Sequence, residues 1–421
     1  MTAPPRLDRR ALLAALAAAA IPQRLWAAAA AADYPALRAF LESYITSGRL
    51  PGGVIAIKRG DAPVQYISAG TLAFDTKAPA GPDSLWRIYS MTRPIAGMAA
   101  MKLIEDGRLK LDQPLADILP DFKDMQVIAD PSTMATRPAK APILIRHLLT
   151  HTSGLGYDFL PSPAGRLYDK NGVKPGDRNL TPGPGELPPA LDLETFAARL
   201  AKLPLDFDPG ARWQYAVGMD LMGLVIQRVS GMSLYGYLRT HLFEPLKMRD
   251  TDFVVPRSRL DRFTTVMTLQ NGKLVDTDDR KSSPFARDRG IQSAGGGLVS
   301  SARDYARFTS MMLNEGTLDG VRVVKAETVR AARSNLMPPG VSFLGNGFGA
   351  AMSVVLPGHE RPGLDPPGSY GWFGLAGTQM WIDPVNRMSV ILMLQILPNG
   401  TYGVQGQLHT AAYKDLAALR A

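Results

Sequence analysis

The chain of 421 residues is long enough for one large domain or two, and its 46% hydrophobic and 20% charged content is ordinary for a folded globular protein. The absence of cysteine excludes disulfides, a thiolate nucleophile and a thiolate-bound metal. The formal net charge is +9, but no dense run of Lys and Arg indicates a surface for nucleic acid or membranes.

The N-terminus has the pattern of a twin-arginine export signal. Asp8 precedes Arg9 and Arg10, an apolar run covers residues 11–21, and small residues fill 27–32. A run of 11 apolar residues is too short to span a bilayer, which needs about 20. The sequence predicts a signal peptide at 1–32, cleaved within 27–32, and a periplasmic or secreted mature protein without a stable membrane anchor. An uncleaved N-terminal anchor is the alternative.

The mature chain, residues 33–421, begins with a helical pattern at Tyr34–Ser47. Apolar and polar residues then alternate along Val54–Lys58 and Val64–Ala69, on either side of Arg59–Asp61, which predicts a β-hairpin.

The next stretch, Ser84–Gly107, predicts a short buried segment and then a helix. The buried segment is Leu85–Tyr89, and the helix runs from about Met91 to Asp106 with Gly107 as its C-terminal cap. Apolar residues at helical spacing give this helix one buried face. Ser90 therefore lies at the helix N-terminus with Arg93 one turn away, which is a layout for an activated serine nucleophile. Taken alone, this stretch is better interpreted as an N-cap serine with a surface arginine, and the other motifs of the chain favour the nucleophile.

Residues 156–190 form a long irregular region, rich in Pro, Gly and Asp, that predicts a lid-like insertion or a disordered loop. The elements predicted after it are helices at Leu191–Leu203, Met219–Val229, Leu234–Leu242, Ser300–Gly316, Ala326–Ser334 and Val404–Leu419, and strands at Gly349–Leu356, Thr378–Ile382 and Met388–Ile396. Strands at both ends around a helical middle predict an α+β fold. One antiparallel sheet from both termini is flanked by helices, and a helical subdomain is inserted at about 90–255.

Three motifs follow one another along the chain: Ser90–Arg93, Trp213–Val217 and Gly371–Thr378. Their order and spacing resemble the serine β-lactamase and penicillin-binding-protein superfamily, in particular the class C β-lactamase-like esterases known as family VIII carboxylesterases. In those families the first motif is S-x-x-K, the second begins with Tyr, and the third is K-T-G or a W-x-G variant. The likeness covers about Leu50 to Ile396 and implies the β-lactamase/transpeptidase-like fold.

By this resemblance Ser90 is the nucleophile that forms an acyl-enzyme, and Tyr215 exchanges its proton. The backbone N–H groups of Ser90 and Leu375 would form the oxyanion hole. The residues implied to contact the substrate are Val217, Trp372, Phe373 and Gly374.

The sequence departs from the family pattern at Arg93, where the motif has Lys. Arginine does not lose its proton in proteins, so Arg93 can only be a fixed charge and a hydrogen-bond donor, and the role of base falls to Tyr215. A tyrosine pKa of about 10 would have to fall to about 8, which corresponds to roughly 2.7 kcal/mol. A neighbouring cation shifts a pKa by about 1–3 units, so Arg93 is predicted to lower that of Tyr215. Loss of catalysis is the competing interpretation.

Two other departures concern the substrate. Val217 stands where β-lactamases carry an Asn, and Trp372 replaces the Lys of K-T-G. Both favour an uncharged, apolar acyl group, as in a carboxylic ester.

The sequence thus predicts an exported serine hydrolase that acts on a small-molecule ester, without cofactor or metal. His147 and His151 lie four residues apart but lack the Glu of a zinc-binding H-E-x-x-H motif, so a structural role is favoured. One alternative is an inert binding protein on the same fold, and another is a β-lactamase or D-amino-acid peptidase. The oligomeric state stays open.

Overall fold

The computed structural model describes residues 33–175, 182–288, 290–361 and 363–420. The predicted signal peptide at 1–32 lies outside these residues. The α-helices are α1 Pro35–Thr46, α2 Thr92–Glu105, α3 Ile145–Leu149, α4 Arg166–Lys170, α5 Leu193–Leu200, α6 Gly218–Ser230, α7 Leu234–Leu238, α8 Ala302–Leu313, α9 Ala326–Ala332 and α10 Val404–Ala418. The strands are β1 Gly52–Arg59, β2 Gln65–Gly70, β3 Leu85–Arg87, β4 Gln126–Asp130, β5 Ala135–Pro138, β6 Val266–Gln270, β7 Lys273–Asp278, β8 Val299–Ser301, β9 Thr317–Leu318, β10 Val321–Arg322, β11 Gly347–Phe348, β12 Ser353–Val354, β13 Tyr370–Phe373, β14 Gln379–Asp383, β15 Met388–Met393 and β16 Ile396–Leu397. A π-helical turn covers Arg239–Phe243, and short 3₁₀ turns lie at Tyr89–Met91, Leu115–Asp117, Pro120–Phe122, Arg257–Arg262, Pro284–Ala286 and Thr401–Gly403.

The main sheet joins strands from both ends of the described chain, which confirms the predicted α+β architecture. Its strand order is β11-β12-β13-β14-β15-β1-β2, and every neighbouring pair is antiparallel. Strand β1 lies between β2 and the late strand β15, with Val54 opposite Met393. The main sheet can therefore be completed only after almost the whole chain has been synthesised.

Helices cover both faces of this sheet. A Cβ placed on Gly53 would meet Leu41 of α1, whereas the next residue, Val54, belongs to the same core cluster as Phe308 of α8. Successive residues of a strand point to opposite faces, so α1 and α8 lie on opposite sides of β1. The strand is accordingly buried from Gly52 to Lys58.

Helix α2 carries Ser90 just before its first turn and is the centre of the helical region. The predicted single buried face is wrong, because Thr92–Met101 is buried on every side. Helices α6, α7 and α9 all pack against it. A helix that is apolar all round is a buried helix. Its end is as predicted: Gly107 takes φ +70°, and its N–H donates to the carbonyl of Ile104 at 3.0 Å.

The sequence missed or merged several short strands. The predicted strand at Gly349–Leu356 is instead a tight β11–β12 hairpin, because Ala351 takes φ +59° and its N–H donates to the carbonyl of Leu149. The β4–β5 and β6–β7 hairpins were not predicted.

The described parts of 156–190 pack onto the helical region. Tyr168 is fully buried, and its hydroxyl accepts a hydrogen bond from the N–H of Gly156 at 2.9 Å. The N–H of Ala190 donates to the carbonyl of Gly172 at 3.1 Å. The described residues of this region are therefore folded and pack against the rest of the protein.

Among the described residues, none of the helices has the length and apolar character needed to cross a bilayer.

Candidate active site

Ser90 lies on a sharp turn between a buried strand and the central helix. Strand β3 pairs with β8, and the next residue, Ile88, donates its N–H to the carbonyl of Leu298 at 3.1 Å. Tyr89 then takes φ +43°, a region that costs an L-residue free energy. The chain turns there into α2, and Ser90 faces a cavity. The prediction of a serine at a helix N-terminus is confirmed.

Arg93 is fully buried beneath Ser90. Its Nη1 donates to Ser90 Oγ at 2.5 Å and also to the carbonyl of Gly295. Its Nη2 donates to the hydroxyl of Tyr157 at 3.2 Å. Burial opposes the charged form, but interactions with Tyr215, Tyr157 and the Asp220 carboxylate outweigh it and raise the pKa of Arg93. Arg93 is therefore a permanent cation that donates to the serine oxygen and cannot act as a base.

Tyr215 reaches Ser90 from the segment before α6. Its hydroxyl donates to Ser90 Oγ at 2.6 Å, and the guanidinium of Arg93 lies 4.4 Å from its ring centre. The ring of Tyr157 stacks on that of Tyr215 at a centroid distance of 5.5 Å and an interplanar angle of 14°. The sequence therefore correctly predicted that the side chains of Ser90, Arg93 and Tyr215 lie in contact.

The predicted fall in the pKa of Tyr215 is wrong. Burial raises this pKa above its ordinary value of 10.0, although the Arg93 cation and the hydrogen bond to Ser90 both act to lower it. Arg93 lowers the pKa as predicted. However, the loss of hydration destabilises the phenolate by more free energy than one nearby cation contributes to stabilising it. Tyr215 is neutral at physiological pH.

The third motif forms the end of β13 and the turn after it. Trp372 is 4% exposed and lies 5.9 Å from the ring of Tyr215 between centroids, whereas Phe373 is exposed. A Cβ on Gly374 would lie 2.5 Å from the carbonyl oxygen of Ile88, so the glycine lets this turn approach the segment that leads into Ser90. Leu375 borders the same cavity as Ser90. The use of their two N–H groups as an oxyanion hole stays a prediction.

The cavity above Ser90 has a volume of about 520 Å³. Its wall is mainly aromatic: Tyr89, Tyr157, Phe159, Trp213, Tyr215, Phe343, Trp372 and Phe373. Lys174 is the only lysine or arginine among its described lining residues, and its Nζ lies 3.0 Å from carboxylate oxygens of both Asp169 and Glu186. Burial raises the pKa of the lining residue Asp158 to about 6. The cavity therefore favours an uncharged, apolar group.

Comparison with known proteins agrees with this geometry. The Beta-lactamase family model matches residues 37–413. The chain belongs to the β-lactamase family. It is 30% identical to Esterase EstB of Burkholderia gladioli over 91% of this chain and 95% of the esterase. It is 29% identical to the monacolin J acid methylbutanoyltransferase of Aspergillus terreus over 69% of each chain. The solved structure of EstCE1, a hydrolase with promiscuous acyltransferase activity, has a TM-score of 0.77 at 25% identity and covers 90% of this chain and 98% of that one.

This β-lactamase-family member also uses site residues that sequence reasoning missed. Asp220 is fully buried, and its Oδ1 accepts hydrogen bonds from Ser293 Oγ at 2.6 Å and from the N–H of Gly295 at 3.1 Å. This carboxylate holds the glycine turn whose carbonyl accepts from Arg93. Burial raises the pKa of Asp220, while Arg93 acts to lower it. The only local signal near this turn is the glycine run Gly295–Gly297, which by itself indicates a tight turn and no partner.

The imidazole of His151 packs against the ring of Tyr215. Its Nδ1 accepts from the N–H of Ala216 at 3.3 Å, and its ring centroid lies 4.7 Å from that of Tyr215. Burial and the nearby Arg93 cation hold its pKa well below the ordinary value of 6.5, so the ring is neutral. Its contacts are those of the predicted structural role.

Val217 does not contact the cavity, which corrects the prediction that it binds substrate. It is fully buried in the main core, and its N–H donates to the carbonyl of Gly156 at 3.1 Å. The chain turns into α6 at this residue, so a side chain two positions after Tyr215 points into the protein. Gly374 likewise positions backbone and is buried rather than cavity-lining.

Proposed function

We propose that the protein is a serine esterase that cleaves carboxylic esters with uncharged, apolar acyl groups through an acyl-Ser90 intermediate. The observation that carries the proposal is the pair of donors on Ser90 Oγ, from Tyr215 at 2.6 Å and from Arg93 at 2.5 Å, at the base of an aromatic cavity.

The hydrogen bond from neutral Tyr215 to Ser90 represents the resting form. In the reactive form Tyr215 is a phenolate held beside the Arg93 cation. Ser90 Oγ attacks the ester carbonyl carbon, its proton passes to the phenolate oxygen, and the carbonyl electrons move onto oxygen. When the intermediate collapses, the ester C–O bond breaks and the alkoxide takes the proton from Tyr215. Water then repeats these steps on the acyl-enzyme and releases the acid.

Acyl transfer is a second candidate, because EstCE1 is described as having promiscuous acyltransferase activity. An apolar alcohol that occupies the aromatic cavity would replace water in the second half-reaction. The products distinguish the two reactions, since transfer yields a new ester and hydrolysis yields the acid.

The decisive experiment labels Ser90 and measures turnover on the same preparations. Wild type should react with a fluorophosphonate and hydrolyse p-nitrophenyl butyrate, whereas Ser90→Ala should do neither while it keeps its unfolding temperature. Ser153→Ala is the matched control, since Ser153 is buried outside the cavity lining. Wild type that is neither labelled nor active would favour the inert binding protein, and turnover of a cephalosporin in preference to esters would favour a β-lactamase.

We also propose export through the twin-arginine signal at residues 1–32, which rests on sequence alone. Expression of the full chain in a bacterium should yield a periplasmic product whose mass corresponds to cleavage within 27–32. The double substitution R9K/R10K should retain the precursor in the cytoplasm, and equal processing of both forms would contradict the proposal.

A further inference from the structure

A second cavity, of about 400 Å³, shares Phe343, Trp372 and Phe373 with the cavity above Ser90 but also extends along strand β14. We call it the outer cavity. Its walls include Gln379 and Trp381 of β14, His409 of α10, and Arg361 and Asp365 from the chain before β13. These residues take no part in the reaction proposed above.

Two buried side chains, His409 and Asp365, form the base of the outer cavity. His409 Nδ1 lies 2.8 Å from Asp365 Oδ1, and each residue is only 7% exposed. Trp381 stacks on the imidazole at a centroid distance of 3.8 Å, and the amide nitrogen of Gln379 lies 2.7 Å from His409 Nε2. Burial acts against the charged carboxylate, but His409 and Arg361 outweigh it and lower the pKa of Asp365. Asp365 is therefore ionised, and the guanidinium of Arg361 is its cationic partner.

Arg361 brings unused donors to this base. Its side chain is 50% exposed, and its Nη2 contacts Asp365 and lies 3.0 Å from His409 Nδ1. A guanidinium has five N–H donors in a planar fork. Because the contacts to the described residues use Nη2 alone, the donors on Nε and Nη1 remain for a ligand, and a fork of this kind suits a carboxylate.

Three residues that line the outer cavity each carry a buried polar atom without a hydrogen-bond partner among the described residues. These atoms are the Oγ of Ser369, the Oδ1 of Asn346 and the Oε1 of Gln379, each buried at the atomic level. Ser369 itself is 2% exposed. A buried polar atom without a hydrogen-bond partner destabilises a protein by about 1–3 kcal/mol. A ligand with hydrogen-bonding groups of its own would supply the missing partners.

We propose that the outer cavity binds a small hydroxylated carboxylate. Its carboxylate pairs with Arg361, its hydroxyl meets the unpartnered Ser369 and the two amide side chains, and its apolar part packs on Trp381 and Phe343. Phe343 also lines the cavity above Ser90, so the ligand would lie against a wall that the two cavities share.

The test is isothermal titration of the protein with mandelate, which has a ring, a hydroxyl and a carboxylate. Saturable binding with a Kd below about 10 mM is expected, and Arg361→Gln should weaken it about tenfold or more. Arg330→Gln is the matched control, because Arg330 has a similar exposure of 47% and lies outside the cavity lining. Ser369→Ala should weaken binding about 2–10-fold without loss of stability, since its hydroxyl has no partner to lose. Its control is Ser310→Ala, another buried serine whose Oγ has no partner.

Two analogues assign the contacts. Phenylacetate lacks the hydroxyl and should be insensitive to Ser369→Ala, whereas mandelamide lacks the charge and should be insensitive to Arg361→Gln. Lys174→Gln reports on the cavity above Ser90 and should leave mandelate binding unchanged. The proposal is overturned if mandelate shows no saturable binding, if Arg361→Gln and Arg330→Gln are equal, or if Lys174→Gln alone weakens binding. None of these measurements requires Ser90 to be active, so failure of the esterase proposal would leave them interpretable.

Discussion

The substitution Arg93→Lys tests the proposed chemistry most directly. In the proposed reaction the base of the wild-type protein is the phenolate of Tyr215, and burial raises the pKa of this residue above 10.0. At pH 7.5 a phenol with a pKa of about 10 is only about 0.3% ionised, and a raised pKa makes the fraction smaller. Because a higher pH produces more phenolate, we expect kcat/KM to rise about tenfold per pH unit from 7 to 10 without a plateau.

A lysine at position 93 changes this dependence. Its ordinary pKa is about 10.4, and burial lowers a lysine pKa by up to about 3–5 units, so a neutral amine becomes available near neutral pH. General-base catalysis contributes about 10²–10⁴-fold, and the variant loses part of it because lysine cannot reproduce the contacts to Gly295 and Tyr157. We expect kcat/KM at pH 7.5 to rise about 10–100-fold and to reach its plateau at lower pH.

The assay is hydrolysis of p-nitrophenyl butyrate from pH 6 to 10 after subtraction of the spontaneous rate. Arg87→Lys is the matched control, because Arg87 is also fully buried but pairs with Asp278 outside the cavity lining. This control should lower stability and leave the pH profile unchanged. A flat wild-type profile between pH 7 and 9, or an unchanged profile in Arg93→Lys, would refute the role assigned to Tyr215.

Three further outcomes follow from the geometry. Tyr215→Phe removes the donor to Ser90 but keeps the stacked ring, so kcat/KM should fall about 10²–10⁴-fold in the same assay while the unfolding temperature changes little. Gly374→Ala places a Cβ 2.1 Å from Thr378 Oγ1, so it should lower the activity and should lower the free energy of unfolding by about 1–3 kcal/mol. Gly406→Ala is the control, because Gly406 lies in α10 with nothing within 4 Å of the added Cβ, and it should raise the free energy of unfolding by about 0.5–1 kcal/mol. Denaturant titration measures both changes. Burial lowers the pKa of His147 from 6.5 to about 4, so between these pH values the unfolded state binds a proton that the folded state does not bind. As the pH drops from 6.5 to 4, the free energy of unfolding should therefore fall by about 3 kcal/mol more in wild type than in His147→Asn. Equal slopes of this free energy against pH in the two proteins would contradict the argument.

Features that depend on local pattern could be predicted from the residues alone. The hairpin of β1 and β2, the helix after Ser90 and the cap at Gly107 follow from residue periodicity and from glycine at a left-handed position. Ser90 and Arg93 share one helical turn, so their proximity also follows from spacing alone. The order of three motifs then indicated the family, which the matched family model shows.

Tertiary structure alone decided which distant residues complete the site. Tyr215 lies 125 residues from Ser90 and reaches it at 2.6 Å, and neither Tyr157 nor Asp220 carries a local pattern that marks it. Side chains that meet through packing of separate elements have no fixed spacing along the chain. For the same reason Val217, only two residues from Tyr215, could be assigned to the core only from the turn into α6.

The protonation state of Tyr215 likewise required the folded protein. The sequence supplied the cation that lowers its pKa, because Arg93 belongs to the first motif. It did not supply the burial that raises this pKa, which results from packing against the rings of Tyr157, His151 and Trp372. A pKa depends on the balance of desolvation and neighbouring charge, and desolvation is a property of the whole surrounding structure. The tertiary structure therefore decided that the resting tyrosine keeps its proton.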